Sequence, residues 1–476
     1  MRAPFATWLF NYRREWLTGD LVGGLTAAAV VIPKVMAYGL IAGLTVEAGL
    51  YTALAAMLVY PLLGSSRLLI VSTSSALAML TATAAALVSQ SNGAEPAAVA
   101  PTLALLVGGV LLAASVLRLG FLANFISLPV LIGFQAGVGI VIIVGQLKSL
   151  FGVQVESKST LGSLLELPGV LPQAHGLTML VGAAALVMLA VLQRLFPRRP
   201  IPLLLLAVSI AISWLVGLDA VGVKTVGAFP QGLPSLTLPD LSLVTMLWPA
   251  ALGVALMSFT ESITGARASW QQDEPPVRAN QELLALGVVN SAAAVVGGLP
   301  ADGGVSHTAI ARQAGARTQL AQWASAAAVV MTLLMLSRAI AALPEAALAA
   351  VVIMIAVGMV KPAEFKAIAR VRRTELAWAL ITVAGVVLIG TLEGILLAVV
   401  ISVLTLIYQA NRPPVYAVAY NRDQRVFRRA GENEAGETFP GLLILRAEGR
   451  LTFANAENAG DKMRALAEEA KPRVIV

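Results

Sequence analysis

Lys34, Glu261 and His307 interrupt apolar stretches of this sequence: Lys34 follows Pro33 in AAAVVIPKVMAYG, Glu261 sits in VALMSFTESITGARASW, and His307 follows Ser306 in GGLPADGGVSHTAIARQAG. An ionisable group inside an apolar span is costly and by default marks a substrate or ion pathway. Lys34 can supply positive charge to an anion; it can equally pair with an acid or turn toward an interface. Its neighbour Pro33 removes a helical hydrogen bond and loosens the backbone there. Glu261 lies one to two turns before Arg267. It suits a group that binds and releases a proton or coordinates a cation, the alternative being an ion pair that locks two helices. His307 can be neutral or cationic near physiological pH, so it reads either as a ligand contact or as a neutral, hydrogen-bonded side chain.

Two short segments could position these groups. GSSRLLIVSTSSALAML (Gly64 to Leu80) and GGLPADGGVSHTAIARQAG (Gly297 to Gly315) break the apolar pattern at corresponding places in the two halves of the chain. Paired interruptions of this kind point to a transporter binding site. In each, a few extended residues lead into a small-and-hydroxyl cluster, Ser72 to Ser75 or Gly303 to Thr308, of the sort that begins a helix. Ser and Thr favour N-cap positions because their oxygens accept from the first free backbone N–H groups. Helices that start within the membrane present N–H donors and roughly half a positive charge each to a small anion. A single cluster reads as close helix packing by small residues; two at matched positions read as a site.

Of the 476 residues, 58% are hydrophobic and 12% charged, against about 25% charged in soluble domains. Ile201 to Leu218, Leu243 to Thr260, Gln319 to Ser337 and Leu376 to Leu392 contain no ionisable side chain. They approach or match the roughly 20 residues that cross a bilayer, and with the other stretches they predict about twelve to fourteen spanning or half-spanning segments. The N-terminal MRAPFATWLFNYRREWLTGD has no signal-peptide pattern. Basic residues such as Arg13, Arg67, Arg118, Arg194, Arg267, Arg312 and Lys366 fall on one side of the resulting topology, and few lie on the other, which places both termini in the cytoplasm. The net charge of +7 is then an insertion signal and not a nucleic-acid footprint. Lys361 to Glu375 is basic and loosely amphipathic and is expected along the inner surface. With no cysteine, only two histidines and neither an HEXXH nor a GxSxG pattern, an enzyme, a metal site or a cofactor is not expected.

The run IPKVMAYGLIAGLTVEAGLYTALAAMLVYPLLGSSR resembles the N-terminal signature of the sulfate permease (SulP) family, solute carrier family 26 in animals. NQELLALGVVNSAAAVVGGLPADGGVSHTAIARQAGARTQLAQ resembles its second signature, and FPGLLILRAEGRLTFANAENAGDKMRALAEE looks like the opening of its C-terminal STAS domain. The resemblance implies an all-α polytopic membrane protein of about fourteen segments in two inverted repeats of seven, arranged as core and gate domains. The transmembrane domain would span residues 1–412, with repeats near 15–218 and 243–411, followed by part of an α/β STAS domain over 413–476, which reads as incomplete. In that tail Gly441 to Phe453 alternates as strands do, Glu457 to Ala470 reads as a helix, and PRVIV as a further strand with no partner following it.

Carried over, the resemblance implies a substrate site of Lys34, Tyr38, Ser72, Thr73, Ser74, Ser75, Ala76, Ser306, His307 and Thr308, with Glu261 as coupling group. It also implies elevator-like motion of the core against the gate. Many members have Gln where Lys34 stands and Arg where His307 stands, and a Gly-Pro that the Ser72 to Ser75 cluster lacks. The expected function is secondary transport of a small anion (sulfate, bicarbonate or a C4-dicarboxylate) across a bacterial inner membrane. Coupling to protons leads, with sodium coupling or exchange as alternatives and a homodimer left open.

Overall fold

The computed structural model describes residues 6, 8–124, 128–155, 157, 159–196, 201–227, 232–272, 274–421, 426–430, 437–453 and 455–476. By packing, the chain divides into two units, Met1–Val399 and Val400–Val476.

The first half of the transmembrane region runs α1 (Leu17–Ile41), α2 (Val46–Leu63), a two-residue strand β1 (Val71–Ser72), α3 (Ser75–Asn92), α4 (Pro96–Val116), α5 (Leu128–Phe151), α6 (Thr160–Val170), α7 (Gly176–Leu195) and α8 (Ile201–Val216). The second half runs α9 (Val244–Ser269), α10 (Ala279–Val295), strand β2 (Asp302–Gly303), α11 (Val305–Gln313), α12 (Leu320–Met335), α13 (Ser337–Ala341), α14 (Glu345–Met359), α15 (Pro362–Val371), α16 (Arg373–Leu388) and α17 (Thr391–Ala410). With α6, α13 and α15 set aside as connectors, each half holds seven helices among the described residues, and in each the third is entered through a two-residue strand. This is the repeated order expected of two inverted repeats.

Seven helices among the described residues are long and apolar enough to cross a membrane by themselves. The other expected segments fall short for identifiable reasons. Ile201–Val216 and Leu320–Met335 are apolar but short. Helices α3 and α11 each yield part of their path to the preceding strand, and α10 carries the buried Glu282 and Asn290. The connector α15 matches the amphipathic stretch expected there, with Ile368 buried while Lys366 and Arg370 face outward.

Helices α1, α2 and α4 pack with α9, α10 and α12, whereas α5 and α7 pack with α14, and α5 with α16. Close approach by small residues makes both groups dense. A Cβ on Gly49 would sit 1.8 Å from the Val35 carbonyl oxygen, one on Gly24 2.2 Å from that of Ala321, and one on Gly133 2.3 Å from that of Ala379. Between the two groups the packing is thinner, carried by α1 against α8 and α14 and by α3 against α5.

The second unit holds β3 (Val415–Asn421), β4 (Val426–Arg429), β5 (Leu442–Leu443), β6 (Leu445–Ala447), α18 (Ala456–Ala470) and β7 (Val474–Ile475). An antiparallel sheet of order β4-β3-β6 packs against α18, and β5 pairs in parallel with β7. The strand expected to continue to Phe453 stops at Ala447, because Gly449 takes a left-handed φ of 98° and ends the ladder. The PRVIV strand, expected to lack a following partner, finds β5 upstream. The hairpin β3–β4, which the sequence reading did not assign, begins immediately after Pro413 and Pro414.

Candidate anion site

The two interrupted segments meet. Strands β1 and β2 pair antiparallel, Val71 opposite Gly303 and Ser72 opposite Asp302. Non-helical backbone in the interior must still find hydrogen-bond partners. Here two amide side chains supply them in a matching manner. Asn290 of α10 accepts from Ala301 N–H at 2.9 Å and donates to Ala301 O at 3.2 Å. Gln322 of α12 accepts from Val71 N–H and donates to Val71 O, both at 3.3 Å. Each amide mimics a neighbouring strand.

The chain leaves this ladder in opposite directions to start α3 and α11, and the two starts differ. Ser74 caps α3: its Oγ accepts from Leu77 N–H at 3.4 Å and donates to Asp302 Oδ2 at 2.6 Å. The cap of α11 is Gly304, without a side-chain bond, so the hydroxyl cap expected there is absent. Thr308 instead donates back to Gly304 O at 2.8 Å and accepts from Ile70 N–H at 2.9 Å, which ties the two interruptions together. A Cβ on Gly304 would lie 2.6 Å from His307 Nδ1, so any side chain there would have to displace the imidazole.

Lys34 and Tyr38 lie one turn apart on the same face of α1, which stays helical through Pro33. Lys34 is half-buried, and its Nζ donates to Ser306 Oγ at 3.5 Å on an exposed residue of the first α11 turn. His307, 4% exposed, has no hydrogen-bond partner for either ring nitrogen among the described residues. Buried polar atoms are normally satisfied, so two ring nitrogens without a protein partner beside a lysine mark a place where a polar group can bind. The buried Tyr38 faces Ser75, Asp302 and Glu261.

Helix α9 presents Ser258, Glu261, Ser262 and Gly265 along one face. Ser258 donates to Ala301 O at 2.6 Å, and Ser262 accepts from Gly303 N–H at 2.7 Å. Glu261 therefore stands level with Asp302. From the other packing group, Gln135 of α5 donates to Glu261 Oε1 at 3.1 Å, and Ser75 reaches Met359 Sδ of α14 at 3.2 Å. The site lies where the two groups touch.

Of the residues singled out in the sequence, Lys34, Tyr38, Ser74, Ser75, Glu261, Ser306 and His307 converge. Ser72 and Thr73 turn into the protein instead, Ser72 to Thr73 O at 3.3 Å and Thr73 to Pro300 O at 2.8 Å. Thr308 spends its hydroxyl on the backbone, and Ala76 is buried in the first α3 turn. Asp302, Gln135, Asn290 and Gln322 join the site without having stood out in the sequence. No group of three or more Asp, Glu or His side chains among the described residues could hold a metal ion.

A sequence profile of the sulfate permease family matches residues 17–382. The chain belongs to the sulfate permease family. It is 36% identical over 459 residues to a probable sulfate transporter of Mycobacterium tuberculosis, covering 96% of this chain and 82% of that one. To human solute carrier family 26 member 6 it is 28% identical over 488 residues, covering 97% of this chain and 64% of the relative. Among solved structures, SLC26A9 superposes with a TM-score of 0.85 at 22% identity, over 96% of this chain and 76% of the other. The transmembrane domain of the cyanobacterial bicarbonate transporter BicA superposes with a TM-score of 0.70 at 22% identity, over 83% and 98%. The protein is thus a multi-pass membrane anion transporter, not an enzyme.

Proposed function

We propose that the protein is a secondary active transporter that carries a small anion together with a proton, with Lys34, Ser306, His307 and the first turns of α3 and α11 holding the anion and Glu261 holding the proton. The observation that carries this reading is the convergence of two helix N-termini, a half-buried ammonium and an unpartnered histidine on one ladder. Backbone N–H groups and a lysine give positive potential. The expected substrates are sulfate, bicarbonate or a C4-dicarboxylate. The thin contact between the packing groups supports an elevator-like slide of one group past the other, in a bacterial inner membrane with both termini inside.

In proteoliposomes, radiolabelled anion should accumulate under an inward proton gradient, and Glu261→Gln should abolish the dependence on that gradient. Uptake that ignores the gradient and instead needs internal anion or external sodium would assign exchange or sodium symport to the same site.

A further inference from the structure

We propose that Asp302 is a second proton-coupling residue: it forms one proton-sharing carboxyl pair with Glu261. The proposal rests on the reading above that transport is proton-coupled at Glu261.

Two hydrogen bonds fix the pair in place. Ser258 and Ser262, on either side of Glu261, grip Ala301 and Gly303, on either side of Asp302, at 2.6 and 2.7 Å. The grip of α9 on β2 sets Asp302 level with Glu261, and the two carboxyl groups act on each other electrostatically. Asp302 is 1% exposed; its Oδ2 is taken by Ser74, while its Oδ1 has no hydrogen-bond partner among the described residues. Ionised carboxylates are acceptors only, so two of them face to face repel and leave lone pairs empty. A proton between them removes the repulsion and gives Oδ1 a partner. Such a pair titrates as a unit.

The surrounding groups define what the proton does. Tyr38 faces the pair from α1, and from α3 and α5 the facing side chains are Ser74, Ser75 and Gln135, none of which titrates; Lys34 and His307 lie together at the first turn of α11. With one proton the pair carries one negative charge, and a second proton makes it neutral; gain and loss of that second proton is the coupling step.

The test uses the full-length protein in liposomes loaded with a pH-sensitive dye, given labelled sulfate, bicarbonate or succinate. Asp302→Asn should lose proton-driven accumulation and anion-linked proton entry, and the anion counterflow that remains should no longer depend on pH. The double variant Glu261→Gln/Asp302→Asn should be no worse than either single one. If the wild type is driven by the gradient, Glu261→Gln is not, and Asp302→Asn still is, the pair is refuted and the coupling reading survives. If the wild type itself ignores the gradient, both fall. Should Asp302→Asn fail to fold, Ser74→Ala keeps the pair but strips the donor from Oδ2. It must shift the pH midpoint of uptake, and an unchanged midpoint overturns the proposal. Infrared spectra of the solubilised wild type need no substrate: they should show a protonated-carboxyl band that Glu261→Gln shifts or removes, and a band left unchanged in frequency and intensity contradicts the shared proton.

Discussion

Glu282 and Asp302 are buried acids of the same packing group, yet they are built in opposite ways. Glu282 receives Tyr60 OH at 2.7 Å, Ser65 N–H at 2.7 Å, Ser65 OH at 2.6 Å and Ser66 N–H at 3.2 Å. Asp20, at the start of α1, is likewise filled by Arg317 N–H, Thr318 N–H and Thr318 OH at 2.6, 2.9 and 2.6 Å. Among the described residues Asp302 has a single donor, Ser74, and stands level with another acid. A saturated carboxylate has nothing left to exchange and stitches segments together; an under-satisfied one keeps a valence for a mobile proton. Histidine 307, with both nitrogens unpartnered, belongs to the second kind.

The largest effect that would test this contrast is on stability. Glu282→Ala strands four donors, and at about 1–3 kcal/mol for each unsatisfied group it should cost more than about 3 kcal/mol, read as a large fall in the unfolding temperature in detergent. Asp302→Asn, which keeps a polar side chain against Ser74, should cost about 1 kcal/mol or less in the same assay. Equal losses for the two variants would erase the distinction between stitching and exchanging acids.

A smaller effect tests the boundary between the packing groups. Gln135→Leu removes one hydrogen bond across it, worth about 0.5–1.5 kcal/mol, so the unfolding temperature should barely move while the rate of uptake changes several-fold. A fall in stability as large as that of Glu282→Ala would mean that the boundary is glued and does not slide.

Much of this was legible in the residues. The paired interruptions located the ladder and both helix starts, because a break in an apolar run stands out against the uniform hydropathy of a membrane span. The hydroxyl-cap rule succeeded at Ser74 and failed at Gly304, where any side chain would have to displace the His307 imidazole. Ser72, Thr73 and Thr308 share the composition of a ligand site, and only the register of β1 shows that their hydroxyls serve the backbone. Asp302 was hidden because an aspartate between Pro300 and two glycines reads as a turn, and its serine partner is 228 positions away. Asn290 and Gln322 were hidden too: an amide in an apolar helix gives no sign that it completes a strand.

The central claim is that the anion sits between Lys34 and the two helix starts. The most direct measurement is thermal stabilisation of the purified protein by millimolar sulfate, bicarbonate or succinate, since a ligand stabilises the folded state by RT ln(1 + [L]/Kd). The account predicts that one of these anions raises the unfolding temperature of the wild type, and that Lys34→Ala and His307→Ala each weaken or abolish the shift. A full shift retained in both variants would contradict it.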